Sequence, residues 1–160
     1  MDLPIGWEST SLGQFDGVVW FRKTIELPEE WLNKNLTLEL GPIDDMDATY
    51  FNGQKIGGFE RDGFWREKRI YHIPATLVNK GQNVIAVRVI DNGGGGGLYG
   101  KAEELKIYAD EKQPITLVGK WKYMPAAEYR NSAFYVMDIN KCEFLNRPFV
   151  PIEISSHTPS

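Results

Sequence analysis

Cysteine is nearly missing from this sequence: Cys142 stands alone among 160 residues, which excludes an internal disulfide and a multi-cysteine zinc site. Histidine is almost as scarce, with only His72 and His157. No apolar run approaches the roughly 18 residues that a membrane-spanning helix needs. Charge of one sign is lacking too. The formal net charge is −4, and the densest basic stretch, Arg61 to Arg69, is interrupted by Asp62 and Glu67. Neither nucleic acid nor an anionic membrane surface is therefore an expected partner. Met1-Asp2-Leu3-Pro4 has neither the basic region nor the apolar region of a signal peptide. Long amphipathic helices are absent as well.

What remains is a succession of short alternating segments punctuated by turns, preceded by a loop-like Gly6-Trp7. Val18 to Leu27 places Val19, Phe21, Ile25 and Leu27 on one side and Arg22, Thr24 and Glu26 on the other, the period of two of a half-buried strand. Pro28 to Trp31 predicts a single helical turn. Asn35 to Leu40 alternates again, and Gly41-Pro42 predicts a turn. Met46 to Phe51 leads into Asn52-Gly53, the pair preferred by a type I′ hairpin, and Gln54 to Gly57 returns. Gly58 to Lys68 predicts a loop carrying Phe64 and Trp65. Arg69 to Ile73 predicts a strand stopped by Pro74, Ala75 to Asn79 a turn of helix, and Val84 to Asp91 the longest apolar strand. Five consecutive glycines, Gly93 to Gly97, follow it. Leu105 to Tyr108 and Ile115 to Val118 predict closing strands. From Lys120 onward the pattern weakens into a docked extension carrying Trp121, Tyr123 and Tyr129. Phe134 to Ile139 is a candidate further strand, and Pro148, Pro151 and Pro159 mark a linker-like end. The whole predicts an all-β fold, an antiparallel β-sandwich of jelly-roll topology, over residues 1–123, with residues 124–160 as extension and linker.

Catalytic constellations are wanting. Ser9, Ser11, Ser132, Ser155, Ser156 and Ser160 lie in neither a Gly-x-Ser-x-Gly elbow nor a Gly-Asp-Ser block, the settings that expose a hydroxyl beside oxyanion donors. No catalytic residue is expected within the chain. Asp44, Asp45 and Asp47 cluster as calcium ligands do, but the Asp-x-Asp-x-Asp-Gly spacing with its later glutamate is missing. Turn and strand-edge aspartates are the simpler reading, and no metal is expected. Gly95-Gly96-Gly97-Leu98-Tyr99-Gly100 formally matches a dinucleotide fingerprint. The β-α-β unit that would present a helix to pyrophosphate is lacking, so no cofactor is expected. The aromatic residues offer more. Trp65 and Arg66 in a glycine-flanked loop, with Tyr99 and Asp91 around the glycine run, are the candidate carbohydrate-binding residues. Indole and phenol faces stack on a pyranose, while arginine or aspartate bonds its hydroxyls. The plainer alternative is that Trp65 caps one end of the sandwich.

Several of these stretches also carry a family likeness. Asp16-Gly17-Val18-Val19-Trp20-Phe21-Arg22-Lys23, Gly41-Pro42-Ile43-Asp44-Asp45-Met46-Asp47, Tyr50-Phe51-Asn52-Gly53 and Asn83 to Asp91 with Gly93 to Gly100 resemble the β-domain of bacterial sialate O-acetylesterases. The likeness covers roughly Trp7 to Tyr123. The domain is also similar to the sugar-binding jelly roll of glycoside hydrolase family 2, a galactose-binding-like fold. The resemblance implies a β-domain inserted in a Ser-Gly-Asn-His hydrolase that removes O-acetyl groups from sialic acids. Its partners would be that parent hydrolase domain in the same chain and, as candidates, glycans. It also implies a periplasmic or secreted setting. The family's Gly-Asp-Ser and Asp-x-x-His blocks are not in this sequence, so no catalytic role carries over. An independent glycan-binding module and a purely structural spacer are the alternatives.

Overall fold

A computed structural model describes residues 1–110 and 113–129. In chain order the strands are β1 (Asp2–Leu3), β2 (Ile5–Gly6), β3 (Gly17–Glu26), β4 (Leu36–Asp44), β5 (Met46–Phe51), β6 (Gln54–Phe59), β7 (Lys68–Ile73), β8 (Gln82–Asp91), β9 (Gly97–Leu98), β10 (Lys106–Tyr108), β11 (Ile115–Thr116), β12 (Gly119–Lys120) and β13 (Lys122–Glu128). Every pairing is antiparallel. One large sheet has the order β13-β3-β8-β5-β6, the other joins β11-β10-β4-β9-β2 with β7 on β4, and β1 pairs with β12 as a separate two-stranded ribbon. Successive long strands alternate between the two sheets: β3 in the first, β4 in the second, β5 and β6 back in the first, β7 in the second, β8 in the first. That is the jelly-roll way of closing a sandwich.

The alternation read in the sequence explains the layers. Val19 and Phe21 on β3, Val87 and Val89 on β8, and Phe51 on β5 meet Leu38 and Leu40 on β4, Ile73 on β7 and Ile107 on β10, all buried in one apolar cluster. Each such side chain contributes about 1.5–3 kcal/mol by leaving water. The β3–β8 ladder is unbroken from Gly17–Asp91 to Glu26–Gln82, so β8 is held centrally and ends at a fixed place, the start of the glycine run.

The Asn52-Gly53 hairpin forms as expected. Both residues have positive φ, 48° and 84°, as a type I′ turn requires. Asn52 does more than turn: its amide donates to the Leu77 carbonyl (2.7 Å) and to Asn83 Oδ1 (2.8 Å), and its oxygen accepts the Val84 N–H at 2.8 Å. The single turns after Pro28 and Pro74 are 3-10 turns, Glu29–Trp31 and Ala75–Leu77.

Three expectations are corrected. Gly41-Pro42 is not a turn: β4 passes straight through it, and a register shift between Glu39 and Gly41 marks a bulge, with Gly41 at φ 67° absorbing the extra residue. The strand after Asn52-Gly53 runs on to Phe59, because Gly57 and Gly58 leave no side chain where Tyr71 and the Asp47 backbone press against it. Gly6-Trp7 is loop-like in sequence, yet Ile5–Gly6 pairs with Gly97–Leu98 and Trp7 is fully buried. The segment after Lys120 is docked as β13 on the edge of β3, with pairing that continues to Glu128 and Gly17. Phe134 to Ile139 and the proline-rich end lie outside the described residues.

Candidate carbohydrate-binding site

Two loops meet at one end of the sandwich. The first, between β6 and β7, carries Trp65 and Arg66; the second, the glycine run with β9, carries Tyr99. The Tyr99 hydroxyl donates to the Trp65 carbonyl, and Asn92 Nδ2 donates to Asp62 Oδ1 at 2.8 Å, so the loops are tied at two points. Trp65 and Tyr99 keep 40% and 37% of their surfaces exposed, well above the level of the core aromatics. The Arg66 guanidinium lies 4.0 Å from the Trp65 ring centroid, a cation–π contact that occupies one face of the indole. Three of the four sequence candidates, Trp65, Arg66 and Tyr99, are thus brought together.

Asp91 is placed differently. It ends β8 beneath the glycine run, is fully buried, and accepts the Gly93 N–H through Oδ1 at 2.8 Å. Its Oδ2 has no hydrogen-bond partner among the described residues. Burial first, then the charges of Asp45, Asp16 and Glu8, push its carboxyl up to about 7 against the pull of Gly93. Asp91 therefore shapes the loop from below rather than presenting itself beside the aromatic shelf.

What holds the shelf is a buried pair that sequence reasoning did not single out. Asp47, on the inward face of β5, accepts Arg69 Nε at 2.7 Å, the Tyr71 hydroxyl at 2.8 Å and Thr49 Oγ1 at 2.8 Å. Arg69, wholly buried on β7, spreads its other nitrogens outward. Nη1 donates to the carbonyls of Phe64 and Glu67, both at 2.6 Å, and Nη2 to those of Ile43 (2.7 Å) and Asp45 (3.1 Å). The two residues between those first carbonyls are Trp65 and Arg66. The guanidinium fork thus fixes the backbone on either side of the aromatic shelf, a geometry a lysine could not reproduce. A signal was present: Asp47 occupies the inward parity of β5, with Thr49 and Phe51, where an unpaired carboxylate is not tolerated. Its partner, 22 residues on, was not readable.

The glycine run is shaped from beneath by Trp7. A Cβ on Gly96 would lie 2.1 Å from Trp7 Cε2 and 2.6 Å from Asp91 Oδ2. Trp7 in turn stacks on Phe21 (6.3 Å, 17°) and donates Nε1 to the Phe15 carbonyl at 3.1 Å. Glycine is therefore required at Gly96, where backbone crosses an indole, and the strand β9 that follows delivers Tyr99.

Other chemistry is not assembled among the described residues. No three His, Cys, Asp or Glu side chains there are arranged to hold a metal ion. Asp47 is turned inward to Arg69, away from any shared site with Asp44 and Asp45. His72 is an exposed residue of β7 paired with Thr37, and Ser11 shares a hydrogen bond with Tyr123 rather than with a histidine. A separate open pocket of about 290 Å³, lined by Met1, Asp2, Ile5, Thr10, Ser11 and Tyr123, shares no residue with the shelf.

No protein-family model matches the chain, and no curated protein matches it in sequence. Among solved structures it is similar to a β-glucuronidase of Ruminococcus gnavus, with 25% identity and a TM-score of 0.48 over 57% of this chain and 16% of that enzyme. The same enzyme in complex with uronic deoxynojirimycin gives 24% identity and a TM-score of 0.49 over 57% and 16%. A β-glucuronidase of an uncultured Clostridium sp. gives 25% and 0.47 over 56% and 16%. The chain spans about 16% of the length of these enzymes.

Proposed function

We propose that this chain is a non-catalytic, sugar-binding-like β-sandwich of a carbohydrate-active enzyme, and that Trp65, Arg66 and Tyr99 form its glycan contact. The observation that carries the reading is the tie between Tyr99 and the Trp65 backbone. Two part-exposed aromatic residues from separate loops are tied through a hydroxyl and a backbone carbonyl, with a guanidinium over the indole. Such a surface suits the apolar face of a pyranose ring flanked by hydroxyl or carboxylate groups. The test is titration calorimetry of the chain with sialosides and galactosides. Wild type is expected to bind at millimolar or lower concentration and Trp65→Ala to lose at least tenfold in affinity. Absence of heat at millimolar ligand with wild type refutes the glycan contact.

The finer part of the proposal concerns the parent. The stretches from Asp16 to Gly100 that resemble the β-domain of sialate O-acetylesterases support a role as a buttress to a Ser-Gly-Asn-His hydrolase domain in the same protein, acting on O-acetylated sialic acids outside the cytoplasm. On this reading the chain alone does not turn over an aryl acetate. Turnover that co-purifies with it and disappears on substituting one of its serines refutes the assignment.

A further inference from the structure

Carboxylates from three separate stretches close on the backbone of the glycine run. Glu8 Oε1 accepts the Gly96 N–H at 2.6 Å, Asp45 Oδ2 that of Asn92 at 3.0 Å, and Asp91 Oδ1 that of Gly93 at 2.8 Å. Asp44 stands behind them next to Asp45, its Oδ2 3.5 Å from where a Gly95 Cβ would be. Asp91 Oδ2, fully buried and without a partner among the described residues, is turned toward Gly96. The surrounding groups add little positive charge. Asp16 faces Asp91, Asp62 joins through Asn92, and the Tyr99 phenol senses Asp44. Arg69 reaches this corner from β7, on the carbonyls of Ile43 and Asp45, but Asp47 already matches its charge.

Asp44 and Asp45 are adjacent carboxylates whose like charges oppose each other, and a proton on Asp44 removes that repulsion. With that proton on Asp44, Asp45 remains free to accept the Asn92 N–H. A proton on Asp91 Oδ2 likewise removes a buried charge from beneath Gly96. We propose that the glycine run is a proton-operated latch: protons on Asp44 and Asp91 close it onto Trp7, and their loss loosens it. Burial, the dominant cause in both cases, pushes the two carboxyls up to about 7, so the latch works across neutrality. The sign follows from linkage. The closed form binds protons more tightly than an open or unfolded chain, so closure strengthens as pH falls from about 7 toward 4 and is weakest above 7. The inference does not depend on glycan binding.

The test is hydrogen exchange of the peptide covering residues 92–97, expressed as protection relative to the intrinsic rate at each pH. Between pH 8 and pH 5.5 protection in wild type is expected to rise at least tenfold, since even one of the two protons is worth about tenfold over each unit of pH below about 7. Asp44→Asn, which removes one of the two titrating carboxyls, is expected to be better protected than wild type at pH 8 and to show a shallower pH profile, the remainder belonging to Asp91. If that variant does not fold by circular dichroism, Asp91→Asn serves, since its Oδ1 still accepts from Gly93. Protection in wild type that does not change with pH overturns the proposal, as does an unaltered profile in the folded variant. Millimolar calcium that restores full protection at pH 8 overturns it too, in favour of a bound cation.

Discussion

Replacing Arg69 with methionine isolates the support of the aromatic shelf. Methionine fills most of the volume of the guanidinium stem, so the cost falls on the polar network rather than on packing. Asp47 would be left wholly buried with its charge unmatched, and breaking one side of a buried ion pair costs about 3–5 kcal/mol. The carbonyls of Phe64 and Glu67 sit in a surface loop and can turn to water, but Ile43 is buried, and its orphaned carbonyl adds about 1–3 kcal/mol. The sum approaches the whole stability of a small domain, about 5–15 kcal/mol. Urea unfolding followed by tryptophan fluorescence should therefore show a midpoint close to zero denaturant. The double variant Arg69→Met, Asp47→Asn removes the stranded charge while leaving acceptors for Tyr71 and Thr49, and it should recover about 2 kcal/mol relative to the single variant. A single variant that loses less than about 1 kcal/mol, or a double variant no better than the single, would show that the pair is not what holds the β6–β7 loop.

The glycine run is not uniformly intolerant. Gly95→Ala meets only ordinary contact with Asp44 at 3.5 Å and has no positive φ, so it should be neutral or stabilise by about 0.4–1 kcal/mol in thermal unfolding. Gly96→Ala collides with Trp7 and should cost about 1–3 kcal/mol. Asn52→Ala removes three hydrogen bonds that join the hairpin to Asn83, Val84 and Leu77; chemical denaturation should register a loss of about 2 kcal/mol or more. Because Asp44 and Asp91 are raised to about 7, wild type should be more stable at pH 5.5 than at pH 8. After solvent screening the difference should be on the order of 1 kcal/mol, and Asp44→Asn should reduce it.

The parts legible in the sequence are those whose cause is local. Asn52-Gly53 announces its turn because only residues tolerating positive φ fit there, and the period of two in Val18 to Leu27 and Val84 to Asp91 needs nothing beyond the neighbouring side chains. Gly41-Pro42 misleads for the same reason: locally it is turn chemistry, and only the pairing with β7 and β9 draws it straight through a sheet. Lys122 to Glu128 shows no alternation because an edge strand with both faces largely exposed has no buried side to specify. Trp65, Arg66 and Tyr99 were identifiable as exposed aromatic and basic residues near glycines, but that they share one shelf is a tertiary fact. So is the role of Arg69, whose five nitrogen–oxygen contacts reach elements between Ile43 and Glu67.

The outermost strand of the five-stranded sheet has a bearing on how this sandwich lives among other copies of itself. β13 carries Pro125 within its ladder and slips register between Pro125 and Ala127. A proline offers no N–H, and a bulge twists the rim out of plane, so a second chain seeking to extend the sheet there meets a broken template. With Lys122 near one end and Glu128 at the other, that margin resists fibril-like growth without needing a covering helix.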